Sequence, residues 1–158
     1  MRITKKLTIL LCAMIMAFGL TACGGGKDKE VSVDINKLAE ELQTAVTSDT
    51  LSQTASEITI STYFLNADDV ESSVSYASSG STACEIAVIQ SKDSSKTGDV
   101  EKLLQSRVDG QSELFASYNE GEVAKLDKAI IKSAGAYTVL CVCDDTDKAN
   151  EVLKKYGF

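Results

Sequence analysis

Ala83-Cys84-Glu85-Ile86-Ala87-Val88-Ile89-Gln90 is the stretch on which the fold turns. Alternate side chains of an extended chain face opposite ways, so Cys84, Ile86 and Val88 share one side and Ala87 and Ile89 the other. A strand that is apolar on both faces lies inside a sheet covered on both sides, or keeps one face for a partner. Tyr137 to Cys143 has the same character. With Ala129–Ser133 and Gly135 before it, it reads as a β-hairpin of two apolar strands.

Between these strands runs the best helix of the chain. Thr97 is expected to cap it, and Val100, Leu103, Leu104, Arg107, Val108, Leu114, Phe115 and Tyr118 recur on one face. Gly110 sits in its middle, where glycine costs about 1 kcal/mol relative to alanine. Asn119 ends it, and residues 120–126 add a short helical turn. Acids at Asp144, Asp145 and Asp147, with Lys154 and Lys155 ten residues on, match the dipole of a last helix.

Upstream, Asp34 reads as an N-cap, with Ile35, Leu38, Leu42, Ala45 and Val46 at helical spacing. Residues 48–56 read as a loop. Glu57 to Phe64 alternates, with Ile58, Ile60, Thr62 and Phe64 on one side, which predicts a half-buried strand. Asn66–Asp69 turns the chain into a weaker strand over 70–77, and Ser78–Ser81 turns it again. The order is α-β-β-β-α-β-β-α. Hairpins in place of crossovers predict an α+β fold, a mostly antiparallel sheet of about five strands with helices packed on it.

Composition removes several kinds of chemistry. The chain has no His, Trp or Pro. Histidine-based triads, Cys-His catalysis and His-liganded zinc are therefore excluded. The net charge is −7, and it becomes −10 if Arg2, Lys5 and Lys6 are removed with the N-terminus. An acidic body repels phosphate backbones, so no nucleic acid is expected as a partner.

The N-terminus is read separately. Arg2, Lys5 and Lys6 precede an uncharged apolar run from Leu7 to Leu20, which is too short to span a bilayer comfortably. Leu20-Thr21-Ala22-Cys23 follows, then three glycines. This segment resembles the lipobox of bacterial lipoprotein precursors. The resemblance implies cleavage between Ala22 and Cys23 and a diacylglycerol thioether on Cys23. Two acyl chains give stable anchoring without help from the protein surface. The expected organisation is a signal peptide over 1–22, a lipidated Cys23 with a flexible tether to 33, and one extracytoplasmic domain over 34–158.

From about Tyr63 onward the chain resembles the domain of unknown function 4358 family, found in short lipoproteins of Gram-positive bacteria. The residues that carry this are Asp68-Asp69-Val70, Thr82 to Val88, Arg107, Tyr118-Asn119 before Glu122-Val123, and Tyr137. The family implies a lipoprotein on the outer face of the cytoplasmic membrane and carries no assigned activity.

Several residues invite a chemical reading. Arg107 is the one arginine left after residue 22, and it lies in an apolar stripe. A buried guanidinium needs a partner. Glu85, flanked by apolar strand residues, is the first candidate, and an anionic ligand held beside Tyr118 or Tyr137 is the second. Asp144, Asp145 and Asp147 lack the glycine and twelfth-position acid of a calcium loop, and helix capping accounts for them. Asp68, Asp69 and Glu71 read as turn residues, with acid–base work as the rival.

Cys84, Cys141 and Cys143 read as small buried hydrophobes. One disulfide from Cys84 to Cys141 or Cys143 remains open, provided their strands are neighbours. No cofactor or metal is called for. Three roles stay open: a non-catalytic module binding a protein or small ligand at the envelope, an envelope enzyme using carboxylates or a thiol, and an assembly subunit using an exposed sheet face.

Overall fold

The computed structural model describes residues 31–46 and 49–158. The expected signal peptide, Cys23 and the first part of the tether lie outside the described residues. Five strands form one antiparallel sheet: β1 (Ser52–Thr54), β2 (Val70–Ala77), β3 (Glu85–Ser91), β4 (Ile130–Ala134) and β5 (Tyr137–Val142). Their order across the sheet is β1-β2-β3-β5-β4. The α+β class and the antiparallel sheet read from the sequence are the ones observed. β3 is central, with Val88 opposite Val74 of β2 on one side and Val139 of β5 on the other.

Helices cover both faces, which is why β3 and β5 can be apolar all round. α1 (Ile35–Val46) and α5 (Thr146–Lys155) close one face, where Leu38, Leu42, Val152 and Leu153 meet Ile86, Val88 and Val139. α2 (Ser56–Thr62), α3 (Thr97–Ala116) and α4 (Glu120–Leu126) lie on the other. There Tyr63, Val100, Leu104, Val108 and Phe115 pack on Ala87, Ile89, Leu140 and Val142. Burying a large apolar side chain contributes about 1.5–3 kcal/mol, so each layer is held by several such residues. Asp34 caps α1, its Oδ1 accepting from the N–H groups of Asn36 and Lys37 at 3.1 Å each. Asp145 does the same for α5, accepting from the Lys148 N–H at 3.0 Å.

The sequence reading fails at residues 57–64, which form helix α2 and its exit where a strand was expected. The edge strand β1 falls instead at 52–54, inside the expected loop. Thr59 and Tyr63, one helical turn apart, point inward, whereas Ile58 and Phe64 point out. Tertiary contacts override the β-favouring composition. The Thr59 hydroxyl joins the hydroxyl of Ser75 on β2 at 2.8 Å, and the Tyr63 hydroxyl reaches Glu85 on β3. The helix ends with Phe64 at φ +54°, the Phe64 N–H donating to Ser61 O and the Leu65 N–H to Ile60 O. This is a Schellman stop at a position where glycine is usual.

Two smaller corrections concern boundaries. Thr97 does not cap α3. A 3-10 turn over Ser94–Lys96, capped by Asp93, runs straight into the helix. The core also begins before residue 34, since Val33 is buried and Val31 packs beside it. Val31 lies against Gly135 in the β4–β5 turn, where an added Cβ would stand 3.4 Å from that of Val31.

Candidate functional site

The sheet has two unlike ends. At one, the chain from the N-terminus meets the β4–β5 turn, and the Ser91 N–H donates to Ala136 O at 2.8 Å. At the other, β2 ends at Ala77, β3 starts at Glu85, and the Ser78–Thr82 loop joins them. Charged side chains from β3, from helices α3 and α4 and from the loop after β5 converge on this second end.

Glu85 is the centre of the first group. It lies on the α3 face of β3 and is 5% exposed. Arg107, from the middle of α3, brings Nε to 3.3 Å from both carboxylate oxygens and Nη2 to 3.2 Å from Oε1. The Tyr63 hydroxyl donates to Oε1 at 2.6 Å. Gln111, one turn along α3, turns its carboxamide oxygen to the guanidinium and accepts from Nη1 at 2.6 Å and Nη2 at 2.9 Å. Burial, and then the neighbouring Glu85 charge, push the Tyr63 phenol well above its ordinary pKa, so it acts as a donor throughout the physiological range.

Above this group a cavity of about 200 Å³ opens to solvent. Its walls include Gly80 and Thr82 from the loop, Glu85, Arg107 and Gln111 from the polar side, and Phe115 and Tyr118 from the end of α3. Leu114 also lines it and is 52% exposed, with Tyr118 at 56%. The apolar stripe of α3 therefore runs past the sheet, and its last residues form the mouth of the cavity. The ring of Phe115 lies 5.0 Å from that of Tyr118 and holds it in place.

Lys125 organises a second group beside the first. Its Nζ is 3.0 Å from Glu122 Oε2, 2.9 Å from Asp144 Oδ1 and 3.8 Å from Cys84 Sγ. Burial works against its charge, but hydrogen bonds to Asp144 and Glu122 outweigh it and raise the pKa above the ordinary lysine value. Glu122 also accepts from the Ala83 N–H at 2.8 Å, tying α4 to the start of β3.

The structure brings Arg107, Glu85 and Tyr118 to one end of the sheet, and it separates Tyr137 from them. Tyr137 pairs with Gln90 at the opposite end of the strand and is buried in the α1 and α5 layer. Strand alternation and register both keep it from an Arg107 site. Cys84, Cys141 and Cys143 are buried thiols gathered in that same layer. The hydrogen bond between Cys141 and Cys143 pushes the first thiol's pKa up and the second's down. Asp69 pairs with Lys96 at 3.3 Å and Asp68 sits in the turn capped by Asn66, both away from the cavity.

Sequence reasoning missed Tyr63, Gln111 and Lys125. Gln111 stands four residues after Arg107 on a helix, which is a legible signal. Tyr63 was hidden by the misread strand, and the Lys125–Asp144 pair spans 19 residues that only folding brings together.

A three-layer α+β domain with a charged, aromatic-rimmed cavity at one sheet end is the class these observations define. The chain belongs to the family described as a domain of unknown function (DUF4358), which matches residues 43–143. The match takes in the whole sheet, α3, α4 and every residue of both charged groups but Asp144, which falls one position beyond it. No curated protein and no solved structure matches the chain.

Proposed function

We propose that the protein is a lipid-anchored extracytoplasmic lipoprotein whose domain is a non-catalytic binding module, with the cavity above Glu85 and Arg107 as its binding site. The observation that carries this reading is the placement of the cavity at the sheet end opposite the one the N-terminal segment reaches. A lipid on Cys23 would hold Val31 within about 29 Å of the bilayer, at up to 3.6 Å per residue. The seven-residue β3 then carries the cavity about 20 Å further out, toward the cell exterior.

The chemistry of the walls fits binding. The Glu85 carboxylate and the Arg107 guanidinium satisfy each other, so they present a fixed hydrogen-bonding surface. Leu114 and Tyr118 offer apolar area at the mouth, and pockets of this mixed kind orient small ligands or single side chains. The rival roles lose ground. Asp68 and Asp69 are turn residues away from the cavity, Cys84 borders it but is 1% exposed, and helices on both faces of the sheet speak against an assembly subunit that uses an exposed sheet face.

Two experiments test the reading. Metabolic labelling with palmitate should mark the wild-type protein and not Cys23→Ala. A thermal-shift panel of amino acids, peptides, sugars and nucleotides should yield a ligand whose stabilisation disappears in Tyr118→Ala. At a hundredfold excess over Kd, such a ligand adds about 2.7 kcal/mol. No labelling would remove the anchor, and a hit indifferent to Tyr118→Ala would move the site elsewhere.

A further inference from the structure

Strand register makes a specific statement about the three thiols. In the β3–β5 ladder Glu85 faces Val142 and Ile86 faces Cys141, so one step outward Cys84 faces Cys143. The Ser91 N–H donates to Ala136 O across the same ladder, which marks the odd-numbered residues of β3 as hydrogen-bonded toward β5. Independently, the Ser78 N–H donates to Cys84 O, so the backbone of Cys84 is turned toward β2. Cys84 and Cys143 are therefore a non-hydrogen-bonded cross-strand pair. Such pairs have Cα atoms about 4.5 Å apart and the closest facing side chains in an antiparallel sheet. That spacing lies inside the range of about 4.4–6.8 Å that a disulfide spans.

We propose that Cys84 and Cys143 are a disulfide-forming pair, closed by exchange with a small-molecule disulfide, and that Cys141 stays a thiol. Cys141 is the poorer partner on geometry. Opposite it stands Ile86, and its neighbour Cys143 is two residues along one strand, about 6.7 Å away, at the limit of a disulfide's reach.

The Cys84 thiolate attacks one sulfur of the small disulfide, whose S–S bond breaks. The leaving thiolate takes up the proton Cys84 has lost. The Cys143 thiolate then displaces the second small thiolate from the mixed disulfide, and its proton goes to that leaving group. Two protein thiols are oxidised, one small disulfide is reduced, and two small thiols leave. All three protein thiols are buried in the fold, so the exchange belongs to the folding chain.

The inference does not depend on the binding reading. The test is to reduce and unfold the full chain in urea, refold it in mixed reduced and oxidised glutathione, and alkylate it. Trypsin then releases 38–92, carrying Cys84, and 133–148, carrying Cys141 and Cys143. The expected product joins the two peptides, and fragmentation places the bond at Cys143 and the alkyl group on Cys141. Cys141→Ala should keep the link and Cys143→Ala should lose it. Because fragmentation of the wild-type chain answers alone, a variant that fails to fold does not obscure the result. Full alkylation of both peptides, or a bond at Cys141, overturns the proposal.

Discussion

Replacing Arg107 with methionine asks what the Glu85 pair is for. The change keeps most of the side chain's apolar stem and removes the guanidinium. Glu85, 5% exposed, is left with the Tyr63 hydroxyl as its remaining donor in the pair. Breaking a buried ion pair by removing one partner costs about 3–5 kcal/mol. The Arg107 side chain is 29% exposed, so water screens the pair and can enter the gap. That screening brings the cost down to about 2–3 kcal/mol. For a domain of this size that lowers Tm by about 10 °C.

Urea unfolding followed by far-UV circular dichroism reads the loss directly. Glu85→Gln in the Arg107→Met background removes the orphaned charge and should restore about 1–2 kcal/mol, giving a clear coupling energy in the double-mutant cycle. A role confined to ligand binding predicts the opposite pattern, a stability change within about 0.5 kcal/mol. If Arg107→Met is that mild, or if Glu85→Gln makes it worse, the structural account of the pair is wrong.

Further outcomes follow from other parts of the fold. Gly110 lies exposed within α3 and a Cβ there meets nothing within 4 Å, so Gly110→Ala should add about 1 kcal/mol to unfolding stability in urea. Phe64→Gly should also stabilise, by about 1 kcal/mol, because a left-handed residue 84% exposed gives up strain without losing core packing. Tyr63 must stay protonated when folded, and burial raises its pKa above the ordinary value of 10.0. Its contribution is thus intact below pH 10 and lost as pH rises through the folded value, so urea midpoints should fall steeply in alkali and less steeply in Tyr63→Phe. Glu122→Ala should leave the Ala83 N–H without its acceptor, cost about 2 kcal/mol, and speed hydrogen exchange at that amide.

Local chemistry made much of this protein legible from its residues. Two strands apolar on both faces pointed inside the sheet, either covered on both sides or with one face kept for a partner, and β3 and β5 hold the covered position. Asp34 and Asp145 announced their helices because a short acceptor side chain before an apolar period has few other uses. The acidic charge and missing histidine bounded the chemistry for the same reason, since they need no coordinates. Tertiary structure decided the rest. Alternation over 57–64 fits a strand and a short amphipathic helix alike, and hydroxyl contacts to Ser75 and Glu85, both distant in sequence, chose the helix. Arg107 could be seen to need a partner. That Tyr118 stands on its side of the sheet and Tyr137 on the other depends on the register of β3 against β5. The facing of Cys84 and Cys143 depends on that same register, which is fixed by packing across the whole sheet and by no single stretch of the chain.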